Sequence, residues 1–184
     1  MALRTLKTLP TVAPTTRLGA MTTAVPLTET ELGAWRSFLR AHAQITRKLE
    51  AELLAEQDLP LASYDVVLQL AEAPYRRLRM TDLADRVLLS RSGLTRLVDR
   101  LEREGLVSRA ACPNDARGTH AVLTEAGAAR LRSAAPTHLR GVSEHVTSRL
   151  TETELEQLRA LMGKLMTEHP PLPEGGCGAV EGVV

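Results

Sequence analysis

The stretch Leu89-Ser-Arg-Ser-Gly-Leu-Thr-Arg-Leu-Val-Asp-Arg-Leu-Glu-Arg-Glu-Gly105 decides the fold. Ser90 is a good N-cap, and Gly105 is a good stop just beyond a helix end. Between them Leu94, Leu97, Val98 and Leu101 recur at i, i+3, i+4 and i+7, one apolar stripe of a helix. Ser92, Arg96, Asp99 and Arg103 lie opposite that stripe, flanked by Thr95 and Arg100, with small Gly93 near the start. A slim N-terminus and a face of hydroxyl and guanidinium groups suit a helix lying in a DNA major groove. Bulk there would block approach, and arginine forks reach phosphates and guanine edges. The plainer reading is a surface helix that is basic by chance. The flanking sequence decides between the two.

Upstream, Met80-Thr-Asp-Leu-Ala-Asp-Arg-Val-Leu-Leu-Ser90 predicts a short helix over 82–87 with Thr81 at its cap, then a turn into the organising helix. Two such helices joined by a few residues form a helix-turn-helix. Before them, Pro60 breaks the chain, Ser63 can cap a helix over 64–73, Pro74 ends it, and residues 76–79 read as a linker. Downstream, Leu106-Val-Ser-Arg109 is extended, Pro113-Asn114-Asp115 is strong turn chemistry, and Thr119-His-Ala-Val-Leu123 returns as a strand. Strand, basic tip and strand after a helix-turn-helix make a winged helix. Arg117 near the tip can enter a minor groove, with Asp115 holding its guanidinium in place.

Two helical patterns frame this core. Thr28-Glu-Thr-Glu31 is a capping box, and Leu32, Trp35, Leu39, His42, Ile45, Leu49 and Leu53 follow at spacings of three and four. That stripe is longer than a small core needs and hints at a partner helix from another subunit. Thr124-Glu-Ala-Gly127 opens a helix to about residue 147, which Pro136 should kink or interrupt. Leu150-Thr-Glu-Thr-Glu154 starts a last one, with Leu155, Leu158, Leu161, Met162 and Leu165 as its stripe, ending near Glu168. Residues 1–26, rich in Thr, Pro and Ala, and the Gly- and Pro-rich residues 170–184 read as disordered tails, and Met21 offers a second start of translation.

Composition narrows the function classes. Net charge is +1 over 184 residues, so overall charge does not announce nucleic-acid binding. The distribution does: between Tyr75 and Arg117, ten arginines stand against six acids. Aromatic residues are scarce, so the core must be built from Leu, Val and Ala. No apolar run is long enough for a bilayer and no secretory signal is evident, which points to a cytoplasmic protein at the nucleoid with no membrane partner. No phosphate loop, nucleophile elbow or metal motif is present, so no catalytic residues and no cofactor are expected. Paired acids such as Glu29/Glu31 and Glu152/Glu154 are explained by helix starts.

Six segments in order resemble the MarR family of bacterial winged-helix transcriptional regulators: Leu59-Pro-Leu-Ala-Ser-Tyr-Asp-Val66, Met80-Thr-Asp-Leu-Ala84, Leu89-Ser-Arg-Ser-Gly-Leu-Thr-Arg96, Leu101-Glu-Arg-Glu-Gly-Leu-Val107, Asp115-Ala-Arg-Gly118 and Leu123-Thr-Glu-Ala-Gly127. The fold class expected is mainly α, a winged helix-turn-helix with a two-stranded wing and long terminal dimerisation helices. The domain would span 27–169, with 28–56 and 124–168 as dimerisation helices and 63–123 as the DNA-binding lobe. The resemblance implies a homodimer on a palindromic operator in double-stranded DNA, repression as the commoner mode, and an unidentified small-molecule effector whose binding lowers DNA affinity. The DNA-contacting set expected is Arg79, Ser90, Arg91, Ser92, Thr95, Arg96, Arg100, Arg103, Asp115 and Arg117, with Asp99 pairing to Arg96 or Arg103 along the helix. Trp35, Phe38, His42 and Tyr64 are expected to line the effector pocket, weakly favouring an apolar or phenolic ligand. The alternative is a winged helix used for dimerisation or protein docking without specific DNA binding; the arginine face of 91–103 argues against it.

Two further candidates are plainer on inspection. Cys112, near Arg109 and Arg117 in the wing, is a conceivable redox switch, but the plainer and favoured reading is a loop cysteine without a role. His138 and His145, seven residues apart with Glu144 beside them, lack tight ligand spacing, so the expectation is surface histidines and no metal.

Overall fold

The computed structural model describes residues 26–87, 89–112 and 115–166, and for Cys112 and residues 115–118 the backbone course alone. The expected tails, the alternative start at Met21 and the turn residues Pro113 and Asn114 lie outside the described residues. Two compact units are distinguished, one up to Phe38 and one from Leu39, with the first helix running through the boundary.

The elements in order are α1 (Glu29–Gln57), α2 (Leu61–Glu72), a 3-10 turn (Pro74–Arg76), β1 (Arg77–Arg79), α3 (Met80–Arg86), α4 (Arg91–Arg103), β2 (Val107–Cys112), β3 (Asp115–Leu123), α5 (Glu125–His145), a second 3-10 turn (Thr147–Arg149) and α6 (Glu152–Leu165). This is the expected mainly helical winged fold. No described helix is long and apolar enough to cross a membrane.

In the first unit, the Thr28 hydroxyl accepts from the Glu31 amide and the Glu31 carboxylate accepts from the Thr28 amide, the reciprocal cap expected for α1. In the second unit, two apolar clusters form the interior. One gathers Val66, Val67 and Leu70 of α2, Leu83 of α3, Leu94, Val98 and Leu101 of α4, and Val107, Ala121 and Leu123 of the sheet. The other joins Leu49 and Leu53 of α1 to Leu59, Leu61, Tyr64 and Ala134. Leu131 of α5 packs against both. The expected α4 stripe is therefore wholly interior.

Three local expectations are corrected. The second helix begins at Leu61 rather than after Ser63, because the Glu50 carboxylate of α1 accepts the Leu61 amide at 2.6 Å and supplies the N-terminal acceptor. Ser63 is instead a buried residue within α2. The expected linker over 76–79 contains a strand: β1 pairs antiparallel with β3 in the register Arg77↔Val122, Leu78↔Ala121, Arg79↔His120, making a three-stranded sheet in the order β1-β3-β2. A three-residue strand has too few positions to show alternation, and its ladder partner lies more than forty residues away. Pro136 does not interrupt α5, which runs on through it to His145.

The α4–wing–α5 junction is tight. Gly105 takes φ +72°, its amide donates to Glu102 O, and the Leu106 amide donates to Leu101 O, the two bonds of a Schellman stop. The Leu106 carbonyl then accepts from the Thr124 amide, while the Thr124 hydroxyl donates at 2.7 Å to the neighbouring Gly105 carbonyl, with Leu106 O 3.0 Å away, and its oxygen accepts from the Gly127 amide to cap α5. A Cβ at Gly127 would lie 2.1 Å from that same carbonyl oxygen. We predict that Gly127→Ala lowers stability by about 1–3 kcal/mol, overriding the roughly 1 kcal/mol that alanine gains over glycine in a helix. A urea midpoint at or above that of the parent chain would refute the close approach.

Candidate nucleic-acid interface

The first turn of α4 presents small and hydroxylic groups to solvent. The Ser90 hydroxyl accepts from the Gly93 amide at 3.1 Å and lies 3.3 Å from the Ser92 hydroxyl. Thr95 turns its hydroxyl back on the Arg91 carbonyl at 2.9 Å. Ser90, Arg91, Ser92, Thr95 and Arg96 are all exposed. Among the described residues Arg91 and Arg96 have no ion-pair or hydrogen-bond partner, so these two guanidinium groups are uncommitted. Arg103 is exposed and gives only a long Nε bond to the Asp99 carbonyl.

The arginines of this region divide by what holds them. Arg100, read from the sequence as flanking the outer face, instead turns toward α2: its Nη2 donates to the buried Ser63 hydroxyl at 2.6 Å, with Glu104 at 3.8 Å from its Nε. Asp99 pairs with neither Arg96 nor Arg103. Its carboxylate takes Nη2 of Arg109 at 2.6 Å, while Glu102 takes Nη1 of the same guanidinium at 2.5 Å. Partial burial works against the charge on Arg109, but the hydrogen bonds from Asp99 and Glu102 outweigh it and hold its pKa above the ordinary value. One residue of β2 thus clamps two acids one turn apart on α4 and fixes the helix against the wing. Sequence reading missed this clamp. Asp99 and Glu102 at i and i+3 were a visible signal, but their partner was identifiable only once β2 was seen to run beside α4.

On the other edge of the sheet, Arg79 is exposed and sits opposite His120 in the ladder. Burial, then the charges of Arg77 and Arg79, push the His120 pKa down despite Asp82 nearby. Asp115 and Arg117 lie on the β3 backbone, but their expected pairing concerns side chains outside the described residues. The same holds for the thiol of Cys112.

The expected effector-lining residues are placed as follows. Trp35 and Phe38, both exposed, stack on each other with ring centroids 6.1 Å apart. His42 is exposed on α1. Tyr64 is buried among core residues, its ring 4.4 Å from that of His138. His138 was expected at the surface. It is instead half-buried, with its Nδ1 buried and unpartnered among the described residues, and burial holds its pKa below the ordinary histidine value.

A family profile described as the MarR family matches residues 57–118. The chain is 32% identical over 142 residues to an HTH-type transcriptional regulator of Bacillus cereus, covering 76% of this chain and 92% of that one. The fold is similar to that of Sco3205, a MarR family transcriptional regulator from Streptomyces coelicolor solved in complex with DNA: TM-score 0.72, 37% identity, 79% of this chain and 91% of that one. It is also similar to a mutant of MarR from Escherichia coli complexed with operator DNA, with TM-score 0.66, 26% identity, and 78% and 100% coverage.

Two outcomes follow from this geometry. Arg109→Ala should cost about 1 kcal/mol, the scale of a half-exposed charge network, and should speed amide exchange selectively in α4. Exchange rising evenly across the chain would count against a local clamp. For His138, the depressed folded pKa means the unfolded chain takes up a proton first, so stability falls as pH drops below about 6.5. His138→Phe should flatten that slope, measured as urea midpoints between about pH 7.5 and 5.5; an unaltered slope would place the titration elsewhere.

Proposed function

The chain belongs to the MarR family of transcriptional regulators, and from that premise we propose that it binds a palindromic operator as a homodimer and represses transcription until a small molecule releases it. The observation that carries the DNA-binding part is the sorting of arginines on α4. Arg100 is committed inward and Asp99 is neutralised by Arg109, whereas Arg91 and Arg96 extend uncommitted from the slim first turn. In this reading that turn enters the major groove, with Arg96 reaching a base edge and Ser90, Ser92 and Thr95 contacting phosphates or bases. Arg79 and Arg103 add backbone contacts, and Arg117, oriented by Asp115, enters the adjacent minor groove.

The dimer is supported by what a single chain leaves uncovered. No residue of α6 is buried, and Leu158, Leu161 and Leu165 of its apolar stripe are exposed. On α1 only Leu49 and Leu53 are buried, while Trp35, Phe38, Leu39 and Leu54 are exposed. A second copy covering these stripes would present two α4 helices to half-sites about 34–36 Å apart. Effector release then needs a coupling of about 1–3 kcal/mol between ligand and DNA. Tyr64 would take part only if the ligand displaces the packing of its ring on His138.

The test is titration of a labelled duplex from the upstream intergenic DNA of the protein's own gene, across a salt series. We expect tight, salt-steep binding that resists random competitor, at two chains per site. Arg96→Ala should lose about 1–3 kcal/mol on that duplex and much less on random DNA. Arg117→Ala should weaken binding and lower the salt slope by about one. Equal, weak binding to specific and random duplexes by the parent chain would support the docking-module alternative instead.

A further inference from the structure

We propose that Glu52, Glu144 and His145 bind one divalent first-row transition-metal ion, zinc or manganese, where α1 packs against the end of α5. One ligand atom from each of the three residues lies within 4.8 Å of the others. His145 is buried, and its Nε2 already stands 2.5 Å from Oε1 of Glu52.

Two observations separate this cluster from an ordinary ion pair. First, the pair is under-satisfied: Oε2 of Glu52 and Nδ1 of His145 are both buried without a hydrogen-bond partner. A carboxylate and an imidazole that only neutralised each other would be expected to recruit partners for those atoms. Second, the helix is shaped around the carboxylate. Gly141, one turn before His145 in α5, has Oε2 of Glu52 only 2.5 Å from where its Cβ would be. A glycine in a helix interior costs stability, and here its bare backbone is what admits the Glu52 carboxylate beside the imidazole.

The donor set is one neutral nitrogen and two carboxylate oxygens, with net charge −2 before the ion and zero after it. That combination suits zinc, or manganese with added waters, and leaves an open position. Tetrahedral zinc would need its ligand atoms about 3.3 Å apart, so the triad must contract. Glu144 can supply the movement because it is exposed, with only its backbone carbonyl held by Arg149 Nε at 2.9 Å. Arg140 is hydrogen-bonded to Glu56, and its charge also acts on Glu52 and Glu144, so the ion must bind against that charge. The sequence reading, with His138, His145 and Glu144 lacking tight ligand spacing, expected no metal; Glu52 lies on a different helix, far away in the chain, where spacing cannot reveal it.

The experiment uses the full chain without an affinity tag, carrying Cys112→Ser and Cys177→Ser so that no thiolate competes. After chelator treatment and dialysis, zinc and manganese are titrated separately against a chromophoric competitor, without DNA. We expect one equivalent per chain for at least one metal. Glu144→Gln, a change at an exposed residue, should weaken binding by about tenfold or more while leaving the metal-free melting temperature unchanged. Glu52→Gln should abolish binding. Absence of stoichiometric binding of either metal, or binding indifferent to both substitutions, would reduce the cluster to a helix-to-helix ion pair. Because no step reads DNA affinity, the outcome is independent of the operator-binding proposal.

Discussion

The carbonyl oxygen of Leu106 is the point on which the winged lobe depends. It stands one residue beyond the glycine stop of α4 and one before the wing. It receives the amide of Thr124, whose hydroxyl donates to the adjacent Gly105 carbonyl, and it lies where any side chain at Gly127 would collide with it. Three elements are therefore joined at two adjacent carbonyls, those of Gly105 and Leu106: the exit of α4, the root of the sheet and the start of α5. Each bond is ordinary in strength, about 1 kcal/mol net. Together they leave no slack between the helix bearing the exposed arginines and the long helix that joins both apolar clusters through Leu131.

On that frame, α4 is held from its two sides by different physics. Its inner face is anchored by burial: Leu94, Val98 and Leu101 are essentially inaccessible, each contributing roughly 1.5–3 kcal/mol of transfer free energy. Its flanks are held by charge. Arg109 reaches across from β2 to Asp99 and Glu102, and Arg100 reaches to Ser63 on α2. These polar ties are weaker per contact, but they are directional and set the rotation of the helix about its axis. The acids of α4 are thereby spent on structure, and the positive field at its N-terminal turn is left to Arg91 and Arg96.

The terminal helices follow a different rule. α6 is capped by the reciprocal Thr151–Glu154 box and continuous to Leu165, yet none of its residues is fully buried among the described residues. A helix of fourteen residues gains little from propensity alone, and its apolar stripe is only partly covered at Leu155 and Met162 and open at Leu158, Leu161 and Leu165. That is the physical ground on which a second copy is proposed, and the same logic applies to the uncovered part of the α1 stripe.

Sequence alone determined whatever depends on neighbours within a turn or two. It located α4 with its Ser90 cap and Gly105 stop, the capping box at Thr28, the helix starts at Thr124 and Thr151 and the returning strands, because caps, stripes and stops act over three or four residues; the short α3 was found too, though it begins at Met80 with Arg79 rather than Thr81 at its cap. The six segments in order were enough to identify the family. Only the tertiary structure decided which charges remain available. Whether Arg100 faces solvent or Ser63, whether Asp99 pairs along its helix or with Arg109, and whether His138 and His145 are surface or interior all turn on residues brought together from distant parts of the chain. The strand at Arg77–Arg79 was hidden for the same reason: its three residues are a strand only because β3 lies beside them. Electrostatic and hydrogen-bond partners are chosen by distance in space, and that distance is set by packing, which no local pattern encodes.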